Sequence, residues 1–114
     1  MAVTRQFLSG GTGGAMQIIS NTASPGNLVH TCPADVKDEV YLYCFNFHSA
    51  DLLVTVEWAA QAVLKDRIPQ TVPFNDGLYL LIPGLTLLAA QTVHVFCATG
   101  NLVAVGGFVN RDDT

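Results

Sequence analysis

A chain of 114 residues makes one domain with one core, and its formal charge of −4 comes with only five cations, Arg5, Lys37, Lys65, Arg67 and Arg111, spread thinly. No basic stripe exists to neutralise phosphates or to hold an anionic membrane surface, so neither nucleic acid nor membrane is expected as a partner. Half of the residues are hydrophobic and 12% are charged, about half the usual charged share, which implies an exterior that is partly apolar and covered by a partner.

Residues 1–11 carry one Arg and lack the continuous apolar stretch of a secretory signal. The most apolar run, 78–90, is broken by Pro83-Gly84 and falls short of the roughly 20 residues of a spanning helix. A soluble protein made in the cytosol is expected. Four glycines within residues 10–14 predict a hinge, because glycine loses the most entropy on ordering. Residues 1–14 therefore read as a flexible N-terminal arm, with Val3, Phe7 and Leu8 available to order on a partner. Residues 15–114 read as a single domain that folds without the arm.

Along that domain, short β-rich runs alternate with turn chemistry. Strands are expected at 15–20, at 28–32, and at 39–47, where Tyr41, Tyr43, Phe45 and Phe47 alternate with Val40, Leu42, Cys44 and Asn46. The turn Ser49-Ala50-Asp51 predicts a hairpin between 39–47 and the next strand, 52–58. Further strands are expected at 67–72, 78–82, 91–98 and 102–110, with 85–88 a short strand or a loop. Residues 58–65 contain helix formers without a cap, compatible with one helical turn. About eight strands, with no helix long enough for a parallel crossover, predict an antiparallel β-sandwich of jelly-roll or immunoglobulin-like type.

A strand with one wet face alternates apolar and polar residues. The strand 39–47 is apolar on both faces, and 102–109 has no charge. A two-layer sandwich has one interior, so the second apolar face must meet an arm, a loop of this chain or another subunit, and another subunit is the reading preferred.

Candidates for chemistry thin out on inspection. Residues 10–14 are followed by Ala15-Met16, where a phosphate loop needs Gly-Lys-Ser/Thr and a dinucleotide fingerprint needs a third Gly. Asp35, Asp38 and Glu39 fall in a loop and a strand start, Asp51 and Asp76 in turns, and Glu57 on the polar face of its strand. His30 and His94 lie in strands and His48 at a turn, with no zinc spacing. Cys32, Cys44 and Cys97 sit in apolar runs and read as inert core thiols. No serine occupies a nucleophile elbow. No enzyme activity, cofactor or metal is expected. Tyr41, Tyr43 and Trp58 suit either a protein interface or stacking on sugars, and Trp58 equally suits a core.

The order VHTCP (29–33), DEVYLYCFNFHSADLLVTVEW (38–58), DGLYLLIPGLTL (76–87) and VFCATGNLVAVGGFVNR (95–111) resembles small virion proteins of tailed phages, of the capsid decoration or cement type. The likeness spans residues 28–111. Its most specific parts are Asp38-Glu39-Val40 with Glu57-Trp58, and the closing Gly107-Phe108-Val109-Asn110-Arg111. The resemblance implies a non-enzymatic protein that binds and stabilises the capsid exterior, with the major capsid protein as partner. It implies virion localisation after assembly in the host cytoplasm, and a homo-oligomer, a trimer being favoured because local threefold positions are common docking points. Candidate interface residues are Val3, Phe7, Leu8, Tyr41, Tyr43, Phe45, Phe47 and Trp58. The alternative is a carbohydrate- or receptor-binding module of a phage tail or fibre, with its tyrosines or Trp58 aligned on one face. A small sandwich enzyme would need a cleft where histidines and carboxylates converge.

Overall fold

The computed structural model describes residues 3–11, 13–59 and 64–113. Among these described residues nine strands follow one another: β1 (Val3–Phe7), β2 (Gln17–Ile18), β3 (Asn27–Thr31), β4 (Lys37–Asn46), β5 (Leu52–Trp58), β6 (Arg67–Val72), β7 (Leu78–Leu87), β8 (Thr92–Cys97) and β9 (Val103–Asp112). The fold is all-β, as the alternation in the sequence predicts. Strand pairing is nested: β5 pairs with β6, β4 with β7, β3 with β8, and both β1 and β2 with β9, all antiparallel. This is one long ribbon folded at the β5–β6 connection. Rolling it up sets β9 against β4 and β8 against β5. Two sheets result, a five-stranded one in the order β1-β9-β4-β7 with β2 also on β9, and a four-stranded one in the order β3-β8-β5-β6. Of the two sandwich types expected, the strand order is that of the jelly roll.

Alternation decides what lies between the sheets. On β4, Val40, Leu42 and Cys44 point inward and meet Val54 and Val56 of β5, Val93, Val95 and Cys97 of β8, and Val103, Val105 and Val109 of β9. Valine suits such a layer because its branched side chain fits the pleat. Burying each one fully is worth about 1.5 kcal/mol or more.

Four expectations are corrected. First, β4 and β5 are not a hairpin, for they belong to different sheets. Residues 47–51 form a corner, held by Asn46, whose buried amide donates to the carbonyls of Ala50 (3.0 Å) and Val72 (2.9 Å) and accepts from the His48 amide (2.9 Å). The apolar faces of β4 and β5 thus oppose each other across the core. Second, Val3–Phe7 is no free arm: it pairs along β9 from Val3↔Asp112 to Phe7↔Phe108. Leu8 enters the core, and the Gly10 amide bonds the Val29 carbonyl at 2.8 Å. Met1, Ala2 and Thr12 lie outside the described residues. Third, β7 runs unbroken through Pro83-Gly84, because the ladder with β4 slips register there and Gly84 takes the positive φ of 104° that the slip requires. Fourth, of the stretch 58–65 the described residues hold a 3-10 turn at Leu64–Asp66, with Trp58 ending β5, and residues 60–63 lie outside the described residues.

Candidate interaction surface

The register lines up four rows across the outer face of the five-stranded sheet. The first is polar: Arg5, Asn110, Glu39 and Thr86 on β1, β9, β4 and β7. The second is Phe7, Phe108, Tyr41 and Pro83. The third is Gly106, Tyr43 and Leu80, with Met16 lying over Gly106 where a Cβ would leave it no room. The fourth is Ile18, Ala104, Phe45 and Leu78. Polarity therefore falls from one end of the face to the other. At the apolar end Ile18 is 54%, Leu78 64% and Leu80 44% exposed. Phe47, just beyond β4, is also exposed and tilts against Phe45 with ring centroids 5.9 Å apart.

The second row is a stack that runs through the sheet's own strands. The Arg5 guanidinium lies 4.6 Å from the centre of the Phe108 ring, and Phe108 stacks on Tyr41 at 4.9 Å and 18°. Beyond Tyr41, Gly84 abuts the ring, and a side chain there would press on the phenol. A hydrogen bond to Glu39, and that residue's charge, push the Tyr41 phenol above its ordinary range. Aromatic pairing and a cation over a ring each contribute of the order of 1 kcal/mol, which ties β1 to β9 and β4.

Buried charge occurs at two places, and both brace the fold. His30 and Asp38 are fully buried. The Ser9 amide donates to His30 Nδ1 (3.1 Å), which leaves the proton on Nε2, and Nε2 donates to Asp38 Oδ2 (2.7 Å). Arg111 closes the group with Nε on Asp38 Oδ1 (2.9 Å) and Nη2 on Oδ2 (3.1 Å). Burial raises the Asp38 pKa, but the hydrogen bonds from Arg111 and His30 outweigh it and hold the carboxyl below its ordinary range. Ser9, His30 and Asp38 invite comparison with a hydrolase triad. There, however, the serine hydroxyl donates to the imidazole. Here the donor is the Ser9 main chain, and Ser9 Oγ instead accepts from the Thr31 amide at 2.9 Å. The group is a tie between β1, β3, β4 and β9.

Glu57 is the second. Its side chain does point to the outer face of its sheet, as expected, yet it is fully buried, because the turn at Ser24-Pro25-Gly26 folds over it. Glu57 accepts from Ser24 Oγ (2.6 Å) and from the Gly26 amide (2.7 Å), and Arg67 lies 3.7 Å away. Gly26 allows that turn to press directly on the backbone of Val95, where any Cβ would collide. The expectation of a solvated carboxylate fails here because the covering loop comes from a distant part of the sequence.

The candidate interface residues divide. Val3, Phe7, Phe45 and Phe47 are exposed; Tyr41 and Tyr43 are half-buried on the same outer face. Leu8 is core, and Trp58 packs against the core from the other sheet. Ile18, Leu78, Leu80 and Phe108 complete the face and were not among the interface candidates read from the sequence. The signal was present for β7, whose run Leu78-Tyr79-Leu80-Leu81-Ile82 is apolar on both faces just as β4 is. All three cysteines are buried, and burial pushes the Cys44 thiol up to about 12. His30 and His94 lie in different strands paired through Leu28 and Val93, and His48 is at the β4–β5 corner. Among the described residues no three His, Cys, Asp or Glu side chains cluster as metal ligands would. An open groove on this face, about 430 Å³, is lined by Arg5, Gln6, Phe7, Gly14, Gly107 and Phe108, with one charged group among them. No family model, curated protein or solved structure matches this chain.

Proposed function

We propose that this protein is a non-enzymatic jelly roll that binds another protein through the apolar end of its outer sheet face, as a capsid decoration protein seated on the major capsid protein. The observation that carries the reading is the grouping of Ile18, Phe45, Phe47, Leu78 and Leu80 as exposed side chains on one sheet face, while Arg5, Lys37, Glu39 and Asp112 fall at the other end. Single exposed apolar residues are ordinary on a monomer; a contiguous field of them marks an interface. An apolar centre with charge kept to one side matches the anatomy of protein interfaces. The capsid as partner rests on the sequence likeness over residues 28–111. Jelly rolls serve in both viral coats and lectins, so the fold by itself does not choose. A sugar-stacking role has less support, since Phe108 takes one face of Tyr41 and Trp58 packs against the core.

The test is co-sedimentation of the purified protein with heads assembled from a major capsid protein of the same source genome. Wild-type protein should pellet with the heads, and Phe45→Glu should bind at least about tenfold more weakly, equivalent to about 1.4 kcal/mol. Failure of the wild-type protein to bind removes the capsid as partner. Equal binding by Phe45→Glu removes this face as the contact.

A further inference from the structure

We propose that the protein holds one structural water, bound between the Gln17 side chain and the glycines packed beside it. Gln17 opens β2 opposite Val105, and its neighbour Ile18 lies on the outer face opposite Ala104. Alternation therefore turns Gln17 to the side of the buried Val105. From there it reaches the other sheet, and its Nε2 donates to the Leu28 carbonyl at 3.0 Å. Its Oε1 is sealed from solvent and receives no hydrogen bond from the described residues. Turning the amide over is no remedy, for it would set Oε1 against the Leu28 carbonyl, acceptor against acceptor. A buried acceptor without a donor has lost its hydration for nothing, and nearly all such atoms in native proteins have a partner, ordered water included.

Size and chemistry choose the occupant. Gln17 forms part of the wall of a small cavity, with Leu8, Gly11 and Gly14 from the segment that joins β1 to β2, and Val105 and Gly106 from β9. The cavity volume is about 10 Å³, room for one water and too little for an organic ligand. Among the described residues no charged side chain lines it, so a bare cation would sit there uncompensated after losing its hydration shell. Water fits. One of its hydrogens goes to Gln17 Oε1, and the glycines, having no side chains, leave main-chain groups uncovered for the further contacts that a buried water takes. The water thereby fastens the segment after β1 to β9, next to Met16, which lies over Gly106 on the outer face. The inference does not depend on what that face binds.

The experiment looks for the water at Gln17 in the crystal and in solution, using the full chain. A high-resolution crystal structure should show ordered density about 2.7–3.2 Å from Gln17 Oε1. In solution, magnetisation should pass from water to the methyl protons of Leu8 and Val105, which are buried and so out of reach of bulk solvent. The transfer should have opposite signs in laboratory-frame and rotating-frame experiments, the signature of a bound water. Gln17→Met has a similar length and no acceptor; it should keep the wild-type circular dichroism and lose both the density and the transfer. Gln17→Lys, which can still donate to the Leu28 carbonyl but accepts nothing, should lose them too. Four results would each overturn the proposal: no density beside Gln17 Oε1, a protein group donating to that atom, no transfer to the two methyl sets, or a folded Gln17→Met that retains the transfer. The first three need only the wild-type protein.

Discussion

The main-chain amide of Ser9 donates to the buried imidazole of His30 at 3.1 Å, so the N-terminal strand is fastened to the edge of the opposite sheet.

This tie reverses what the glycine-rich segment suggests about the residues ahead of it. Leu8 is a core residue, and Leu8→Ala should cost about 2–3 kcal/mol in urea unfolding, towards the low end for a buried leucine. Deleting residues 1–8 should cost at least as much. Val3→Ala, at an exposed position, should fall within about 0.5 kcal/mol of wild type. If the deletion leaves the urea midpoint unchanged, β1 contributes nothing to the sandwich.

Arg111 and Asp38 join the end of β9 to the start of β4 by two hydrogen bonds. Asp38 is fully buried, so removing Arg111 leaves its carboxylate in the interior with His30 as its remaining partner. Arg111→Ala should therefore cost about 3 kcal/mol or more by chemical denaturation, and Arg111→Lys, which keeps the charge but loses the fork, an intermediate amount. The double variant Asp38→Asn/Arg111→Ala should lose less than the two single losses combined. Strict additivity would mean that the pair is not coupled.

Acid should act in two stages. Burial depresses the His94 pKa, with the Glu57 charge opposing it, so the unfolded chain takes up that proton first. The stability that neutral His94 contributes is whole above its unfolded value of about 6.5 and is lost as pH falls from there through the folded value. The Asp38 carboxyl is held low, so its contribution is whole above about 3.9 and is lost as pH falls through its folded value. Urea midpoints should be level above pH 7, decline below about 6.5 and drop again below about 4. His94→Gln should remove the first decline and spare the second. A first decline that persists in His94→Gln assigns it elsewhere.

The thiols should be silent in the native protein. Burial raises Cys44 to about 12 and raises Cys32 as well, the latter with help from the Asp38 charge. Thiolate is the reactive form, so a disulfide reagent at pH 8 should label the folded chain slowly and all three cysteines rapidly in denaturant. Fast native labelling of two or more would contradict their place in the core.

Much of the fold was legible because strand period and turn residues are local signals. The inward set of β4 follows from alternation alone, and the boundaries of β5 and β6 match those expected. Pairing was not legible. A turn such as 49–51 looks the same whether it closes a hairpin or crosses between sheets, and the difference lies in Asn46 reaching Val72, far along the chain. Glu57 was misjudged for a related reason: what buries it is the turn at residues 24–26, far along the chain. The outer face was half legible. Two-faced apolarity in β4 pointed to Tyr43 and Phe45, but Ile18, Ala104 and Leu78 join them only through the register of four strands.

Strand β9 sits at the centre of the larger sheet and pairs with β1, β2 and β4, yet it is the last of the nine in chain order. During synthesis the earlier strands of that sheet must wait for residues 103–112 before three of its four ladders can close. Only the β5–β6 pair joins neighbours in sequence through a short connection. A topology in which the ends of the ribbon meet last is dominated by distant contacts, and such chains fold in milliseconds to seconds. Until β9 arrives, the uncharged edge of β7 and the inner faces of β1, β2 and β4 are open to other nascent chains. The C-terminal strand is thus a timing element as well as a structural one.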